Sequence, residues 1–347
     1  MIKSKDIVGH AHGQKIHLDD DIENLTSYLK KNGFLALYDS IERIEVPGAG
    51  NMNFVLRVVP SESNSFVVKQ ARPWVEKFPD ISAPVERMET EMRYYDSVNS
   101  YPELAIYSPI IMGFDQDNHI LVMEDLGQSQ DYTFIYKEGE HISSEEIEQC
   151  VSYLNDLQAI PHHRSYPRNI ELRKLNHQHI FNLPFIANNG FNLDNIQEGL
   201  QTLSQKCCKD YDLISKVKKL GDLYLGAGET LLHGDFYPGS ILKLDTGFKV
   251  IDPEFSFYGP GEWDISVFVA HLFLADHEEL HIQNAFNAFN QTDHFEMSKF
   301  SGFVGTEILR RLVGLAQLPL ELSLDQKSDL IDRSIEWIKS GKVDILS

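Results

Sequence analysis

A chain of 347 residues has room for two lobes, each with its own core, and 52 acidic against 31 basic residues give it a net charge of −21. That balance disfavours nucleic acid and anionic membrane surfaces as partners, so a phosphate-bearing ligand must be met by a few local cations and a metal ion. Cys150, Cys207 and Cys208 form neither a disulfide framework nor a zinc spacing, the first ten residues lack the apolar core of a signal peptide, and the longest apolar run, residues 265–275, is too short for a membrane helix, which together predict a cytoplasmic protein.

Taken in order, Asp19, Asp20 and Asp21 ahead of I-E-N-L-T-S-Y-L-K-K-N-G predict a short surface helix with acids at its start, lysines at its end and Gly33 beyond. Residues 41–71 read as three strands, joined by P-G-A-G-N-M and P-S-E-S-N. In the first turn Gly48, Gly50 and Asn51 would let backbone amides approach a phosphate with no Cβ in the way; the alternative is a plain hairpin turn. Lys69 stands near the end of the third strand, either as a solvated strand end or as a phosphate contact in need of a carboxylate partner. Ser82 and Pro84 then start a helix that offers Glu86, Glu89 and Glu91, each of which could equally be an ordinary surface acid.

Residues 105–113 and 119–124 read as two more strands, and the second runs into M-E-D-L, a segment that alone fits an interlobe linker as well as a ligand contact. From Ser143 the pattern turns helical, with Ile147, Val151, Leu154 and Leu157 on one face and a serine–glutamate cap at the start. His162 and His163 follow as loop residues, and further helices are expected near 191–207 and 210–226, along the apolar run from Trp263, and over 303–319 and 323–339.

The chemistry concentrates in residues 229–264, where Asp235, Asp252 and Glu254 lie on two tight loops, each after a short apolar run (Leu231 and Leu232; Phe248, Val250 and Ile251). Phosphoryl transfer from a nucleotide needs such a set: one carboxylate to orient and deprotonate a hydroxyl, others to hold Mg²⁺ on the phosphates. H-G-D-x-x-x-x-S followed by D-P-E resembles the catalytic and metal loops of the aminoglycoside phosphotransferase-like kinases. Ser240, the D-x-E order and the run P-E-F-S-F-Y-G-P resemble most closely the 5-methylthioribose kinase family among them. The resemblance runs from about Gly48 to about Leu318, most of the chain.

It implies an α+β, two-lobed protein-kinase-like fold, with a nucleotide-binding lobe over residues 1–126 and a helical lobe over 127–347 that carries the acceptor site. It implies ATP and Mg²⁺ as cofactors, with Gly50, Asn51 and Lys69 on the phosphates, Glu91 as the lysine's partner, and backbone groups of Glu124 and Leu126, after Met123, on the adenine edge. Asp235 would be the catalytic base, Asp252 and Glu254 the metal ligands with Ser240 as auxiliary, and Asp264 would hydrogen-bond the backbone of the catalytic loop. R-R-x-V-G-x-A resembles the family's sugar-binding segment, which gives Arg310 and Arg311, with Asp235, to the acceptor; two salt-bridged surface arginines are the alternative.

The family usually has His where Tyr237 stands, which either substitutes for it or signals a changed acceptor. His233 reads as a loop-fixing donor or as a base. The expected activity is transfer to the anomeric hydroxyl of methylthioribose or a close 5-modified ribose; an aminoglycoside or choline kinase shares the ATP half, and a pseudokinase would bind nucleotide without turnover. The expected partner is a small sugar rather than nucleic acid or membrane, and a homodimer is left open.

Overall fold

A computed structural model describes residues 16–48, 50 and 52–346. Helix α1 (Ile22–Lys31) begins where Asp21 accepts from Asn24 N–H and ends on Lys30 and Lys31, as charges at helix ends favour. It is more than a surface lead-in: Leu25, Tyr28 and Leu29 are buried against Leu56, Val58, Phe66 and Val68 of the first sheet. Tyr28 also donates to Asp115 at 2.6 Å.

That sheet forms from β1 (Ile41–Glu45), β2 (Phe54–Pro60) and β3 (Phe66–Gln70). A hairpin follows, β4 (Trp74–Val75) and β5 (Phe78–Ser82), then α2 (Arg87–Val98), α3 (Pro102–Ala105), β6 (Ile111–Asp115) and β7 (Ile120–Glu124). The order β1-β2-β3-β7-β6 is antiparallel throughout, with Lys69 opposite Val55 on one side and Leu121 on the other. Alternation decides the use of β3: Phe66 and Val68 face α1, so Lys69 faces the opposite side, toward the second lobe.

The second lobe contains β8 (Gln130–Asp131), α4 (Ser144–Gln158), α5 (Ile170–His177), α6 (Leu200–Cys208) and α7 (Tyr211–Leu225). After them come β9 (Thr230–Leu232), β10 (Ile241–Leu244), β11 (Gly247–Val250), β12 (Phe257–Gly259), α8 (Trp263–Leu274), α9 (Glu279–Ala288), α10 (Met297–Val313) and α11 (Leu324–Ser340). Ser143 and Glu146 close a reciprocal capping box on α4. Every residue of α8 is buried, between α9 on one side and α10 on the other. Each of its large apolar side chains contributes about 2–3 kcal/mol by burial, and a change such as Phe268→Ala would lose roughly 3–5 kcal/mol.

Four expected boundaries move, the helix expected over 303–319 among them, which runs instead from Met297 to Val313 and stops before Gly314. Pro102 starts a helix that runs to Ala105, the first residue of the strand expected over 105–113, and that strand begins only at Ile111. The helix expected from Ser82 and Pro84 starts at Arg87, because residues 78–82 pair in the β4–β5 hairpin. The one expected near 191–207 starts at Leu200, after a 3₁₀ turn at Leu193–Asn195. Among the described residues no helix is long and apolar enough to cross a membrane.

Candidate active site

Buried Leu231 and Leu232 of β9 and Val250 of β11 anchor two loops at the lobe boundary. In the first, His233 Nε2 lies 2.9 Å from the Ile251 carbonyl, and Asp235 N–H reaches His233 Nδ1 at 3.4 Å. One ring nitrogen therefore donates and the other accepts, and burial keeps the imidazole neutral by lowering its pKa to about 4. With both nitrogens committed to backbone, His233 fastens the loop and is not placed to act as a base. Asp264, in the first turn of α8, accepts from the backbone N–H of His233 at 2.6 Å and of Gly234 at 3.0 Å, the bonds expected of it. Trp263 Nε1, which sequence reasoning passed over, donates to the Gly234 carbonyl at 3.0 Å. Gly234 adopts φ +88°, and a Cβ there would fall 2.3 Å from the Phe255 carbonyl, so the two loops touch main chain to main chain.

Facing the two loops, Lys69 Nζ pairs with Glu91 at 2.8 Å and with Asp252. Burial disfavours an ammonium there, but the carboxylates of Asp252, Glu91 and Glu254 outweigh it and hold the pKa of Lys69 above its ordinary value. Of the three candidate acids on the helix only Glu91 reaches the lysine; Glu86 is exposed and Glu89 lies 3.9 Å from Arg93. Glu254 is buried, and its Oε2 receives Asn53 Nδ2 at 3.0 Å and Arg87 Nε at 3.2 Å. Arg87 also donates to Asn53 Oδ1, Pro84 O and Met52 O, tying α2 to the turn before β2. Neither Asn53 nor Arg87 was singled out from sequence, although Arg87 shares a helix face with Glu91 four residues on. Gly50 stands at the base of that turn, with Asn53 O 3.3 Å from where its Cβ would be; Asn51 lies outside the described residues.

Other expected residues are placed differently. Ser240 Oγ, the auxiliary metal ligand of the sequence reading, donates instead to the Asp235 carbonyl at 2.9 Å. Glu124 N–H bonds to Ile110 O at 2.9 Å and its side chain accepts from Ile110 N–H, so that amide is already committed to the residue just before β6. Leu126 is half-buried beyond it, and Asp125 between them is held by Arg57 at 3.0 Å and Ser65 at 2.7 Å.

For a cation, Asp252 fits best: its side chain is 49% exposed and offers hard oxygen. Among the described residues no group of three or more acids, histidines or cysteines converges as a metal cage. Mg²⁺ is usually held by one or two carboxylates together with a ligand's phosphates, and Asp252 with Glu254 two residues on would be the residues to hold it.

A second charged cluster lies beyond Asp235. Arg310 and Arg311 are only 6% and 5% exposed, which removes the surface-arginine alternative. Their Nη1 and Nη2 atoms stand 3.6 and 3.4 Å from Asp235 Oδ1. Glu307, unmarked in the sequence reading, binds both, at 3.0 Å to Arg310 and 2.6 Å to Arg311. Burial opposes its charge, yet the two guanidiniums hold the carboxyl well below the usual range. Tyr237 packs its ring 4.8 Å from the Arg311 guanidinium carbon and 5.3 Å from the ring of His271.

The model of the phosphotransferase enzyme family matches residues 56–298, which span β2 through both loops to the start of α10. The chain belongs to that family. Its phosphotransferase relatives include the methylthioribose kinase of Exiguobacterium sibiricum, 28% identical over 329 residues that cover 81% of each protein. The methylthioribose kinase of Bacillus pumilus is 26% identical over 318 residues, 78% of each. Among solved structures, choline kinase LicA from Streptococcus pneumoniae superposes with a TM-score of 0.52 at 15% identity, over 92% of this chain and 98% of that one. Spectinomycin phosphotransferase APH(9)-Ia, in complex with ADP and spectinomycin, gives 0.51 at 13%, over 92% and 98%. At those identities the solved structures show the fold, which is the two-lobed protein-kinase-like architecture.

Proposed function

We propose that this phosphotransferase moves the γ-phosphoryl group of ATP onto a 5-modified ribose, with the anomeric hydroxyl of 5-methylthioribose as the foremost acceptor. The observation that carries the reading is the pair of buried guanidiniums beside Asp235, balanced by Asp235 and Glu307 so that the charges cancel. Fixed forks of N–H donors suit a neutral polyol with adjacent hydroxyls, whereas a cationic amino-sugar or choline calls for surplus carboxylate. Arg310 Nε, buried and without a hydrogen-bond partner among the described residues, is a donor still to be used. The methylthioribose kinase names of the curated relatives support the same acceptor.

In this reading Asp235 accepts a hydrogen bond from the acceptor hydroxyl and takes its proton during transfer. Lys69, aimed by Glu91, meets the α- and β-phosphates together with Gly50 and Asn51, and the Glu124 carbonyl and the backbone of Leu126 face the base. Asp252 would hold Mg²⁺, with Glu254 as its neighbour through Oε1, the oxygen that Asn53 and Arg87 do not use. ATP with Mg²⁺, when bound, supplies the transferable phosphoryl group and the charge that offsets it. Position and neutralisation then matter more than the strength of the base.

The test is ADP release from Mg-ATP over a panel of ribose derivatives, aminoglycosides and choline. Turnover is expected with 5-methylthioribose. Arg310→Lys and Arg311→Lys should each raise its KM by roughly ten- to hundredfold, the worth of a charged donor fork, with little change in the KM for ATP. Turnover of an amino-sugar with every ribose ignored would sink the acceptor reading and leave the family assignment standing.

A further inference from the structure

Arg310 and Arg311 are consecutive on α10, and consecutive residues of a helix point about 100° apart. Left to the helix, their guanidiniums would diverge. Both nonetheless converge on one atom, Asp235 Oδ1, at 3.6 and 3.4 Å. Glu307, three and four residues earlier, projects from the helix in a direction that falls between the two, since i,i+3 and i,i+4 neighbours flank it on either side. Its oxygens are divided accordingly: Oε2 takes Arg310 Nη1 at 3.0 Å and Oε1 takes Arg311 Nε at 2.6 Å.

The carboxylate is fully buried and is itself held from behind. His271 Nε2 lies 3.2 Å from Glu307 Oε1, and the Tyr136 hydroxyl lies 2.5 Å from His271 Nδ1. A neutral imidazole carries one proton; with Tyr136 donating to Nδ1, that proton sits on Nε2 and points at Glu307. Three elements, the segment after β8, α8 and α10, thus fix one carboxylate, which fixes two donor forks. On the far side, the Tyr237 ring limits how far Arg311 can swing.

We infer that Glu307 is a positioning residue for the acceptor: it never meets the acceptor, but it aims Arg310 and Arg311 so that their remaining donors and Asp235 receive one molecule together. The inference rests on the proposed acceptor site, and gives its specificity a single pivot inside the protein.

Glu307→Gln keeps the size and one oxygen and turns an NH₂ group toward a guanidinium. The KM for the acceptor should rise by roughly tenfold or more, with the KM for ATP within about twofold. A residue that merely stabilises the lobe would shift both. Coupling is the sharper readout: in the Glu307→Gln/Arg311→Lys double variant the acceptor KM should rise by clearly less than the product of the single effects, because a lysine has no fork to aim. Tyr136→Phe removes only the outermost hydrogen bond and should give a smaller acceptor-specific rise, about two- to fivefold; it decides the matter if Glu307→Gln does not fold.

Multiplicative effects, equal shifts in both KM values, or an unmoved acceptor KM would overturn the inference. If the wild type ignores riboses but phosphorylates another acceptor, the ribose reading falls, and the same ratios measured on that acceptor decide the role of Glu307. A wild type idle with every acceptor overturns both.

Discussion

Replacing Lys69 by Met takes away the ammonium between Glu91 and Asp252 and leaves Glu91, which has no solvent exposure, without its charge partner. Asp252 is half in solvent and adds little to the cost. Glu91 escapes by binding a proton, and from an ordinary value of 4.5 that costs about 3 kcal/mol at pH 7, near the usual penalty for a broken buried pair. With an unfolding entropy of about 2.1 cal/mol/K per residue over 347 residues, the melting temperature should fall by about 5 °C. The sign with pH follows from burial, which raises the carboxyl in the folded state: the penalty exists above the unfolded value and fades as pH falls toward it. At pH 5 it should be below about 1 kcal/mol, so calorimetry at pH 7.5 and pH 5 should show the gap between wild type and variant narrowing. Adding Glu91→Gln should restore most of the melting temperature and none of the turnover, since the phosphates still lack their ammonium. An equal gap at both pH values, or a double variant no more stable than the single one, would refute the buried-pair reasoning. Recovered turnover would remove Lys69 from the phosphate site.

Asp235→Asn should keep nucleotide affinity, read by calorimetric titration, while turnover falls by orders of magnitude; Asp252→Asn should weaken Mg-ATP binding as well. Burial holds His233 and His271 neutral with pKa values of about 4, against 6.5 when unfolded. The unfolded chain therefore binds more protons between those values, and stability should be complete above about pH 6.5 and be lost toward pH 4, by about 1.4 kcal/mol per pH unit for each ring. Urea denaturation of His271→Asn at pH 7, 6 and 5 should show a shallower slope than wild type, and an unchanged slope would exclude that ring as a contributor. Gly234→Ala combines a φ of +88° with a Cβ 2.3 Å from Phe255 O, so it should cost about 1–3 kcal/mol and lower turnover; wild-type activity would mean the loops can part freely.

The acids after β9 and β11 were legible because short apolar runs fix where a buried strand must end. Glu91 was legible only through the family resemblance, because on the helix alone it reads as a surface acid like Glu86 and Glu89, and its burial comes from the packing of α2. Glu307 was not, because a carboxylate before two arginines on a helix reads as a solvated cluster until α8 covers it with His271. Arg87 was hidden for the same reason: its partners, Asn53 and Glu254, are 34 and 167 residues away in sequence, and no local period records them. The β4–β5 hairpin escaped because Pro79 and the exposed faces around it deny the run any strand signature.

The main-chain contact of Gly234 with Phe255 also divides the molecule into parts that can change separately. Because that contact is made by backbone with only the Phe255 Cβ beside it, and Gly234 is otherwise held by Trp263 and Asp264, the offset between the loop of Asp235 and the loop of Asp252 does not depend on the side chains of the wall proposed for the acceptor. That wall comes from α10 and from residue 237. Selection, in nature or in a library, can therefore randomise Tyr237 and the last turn of α10 to explore new acceptors while the phosphate machinery is inherited unaltered.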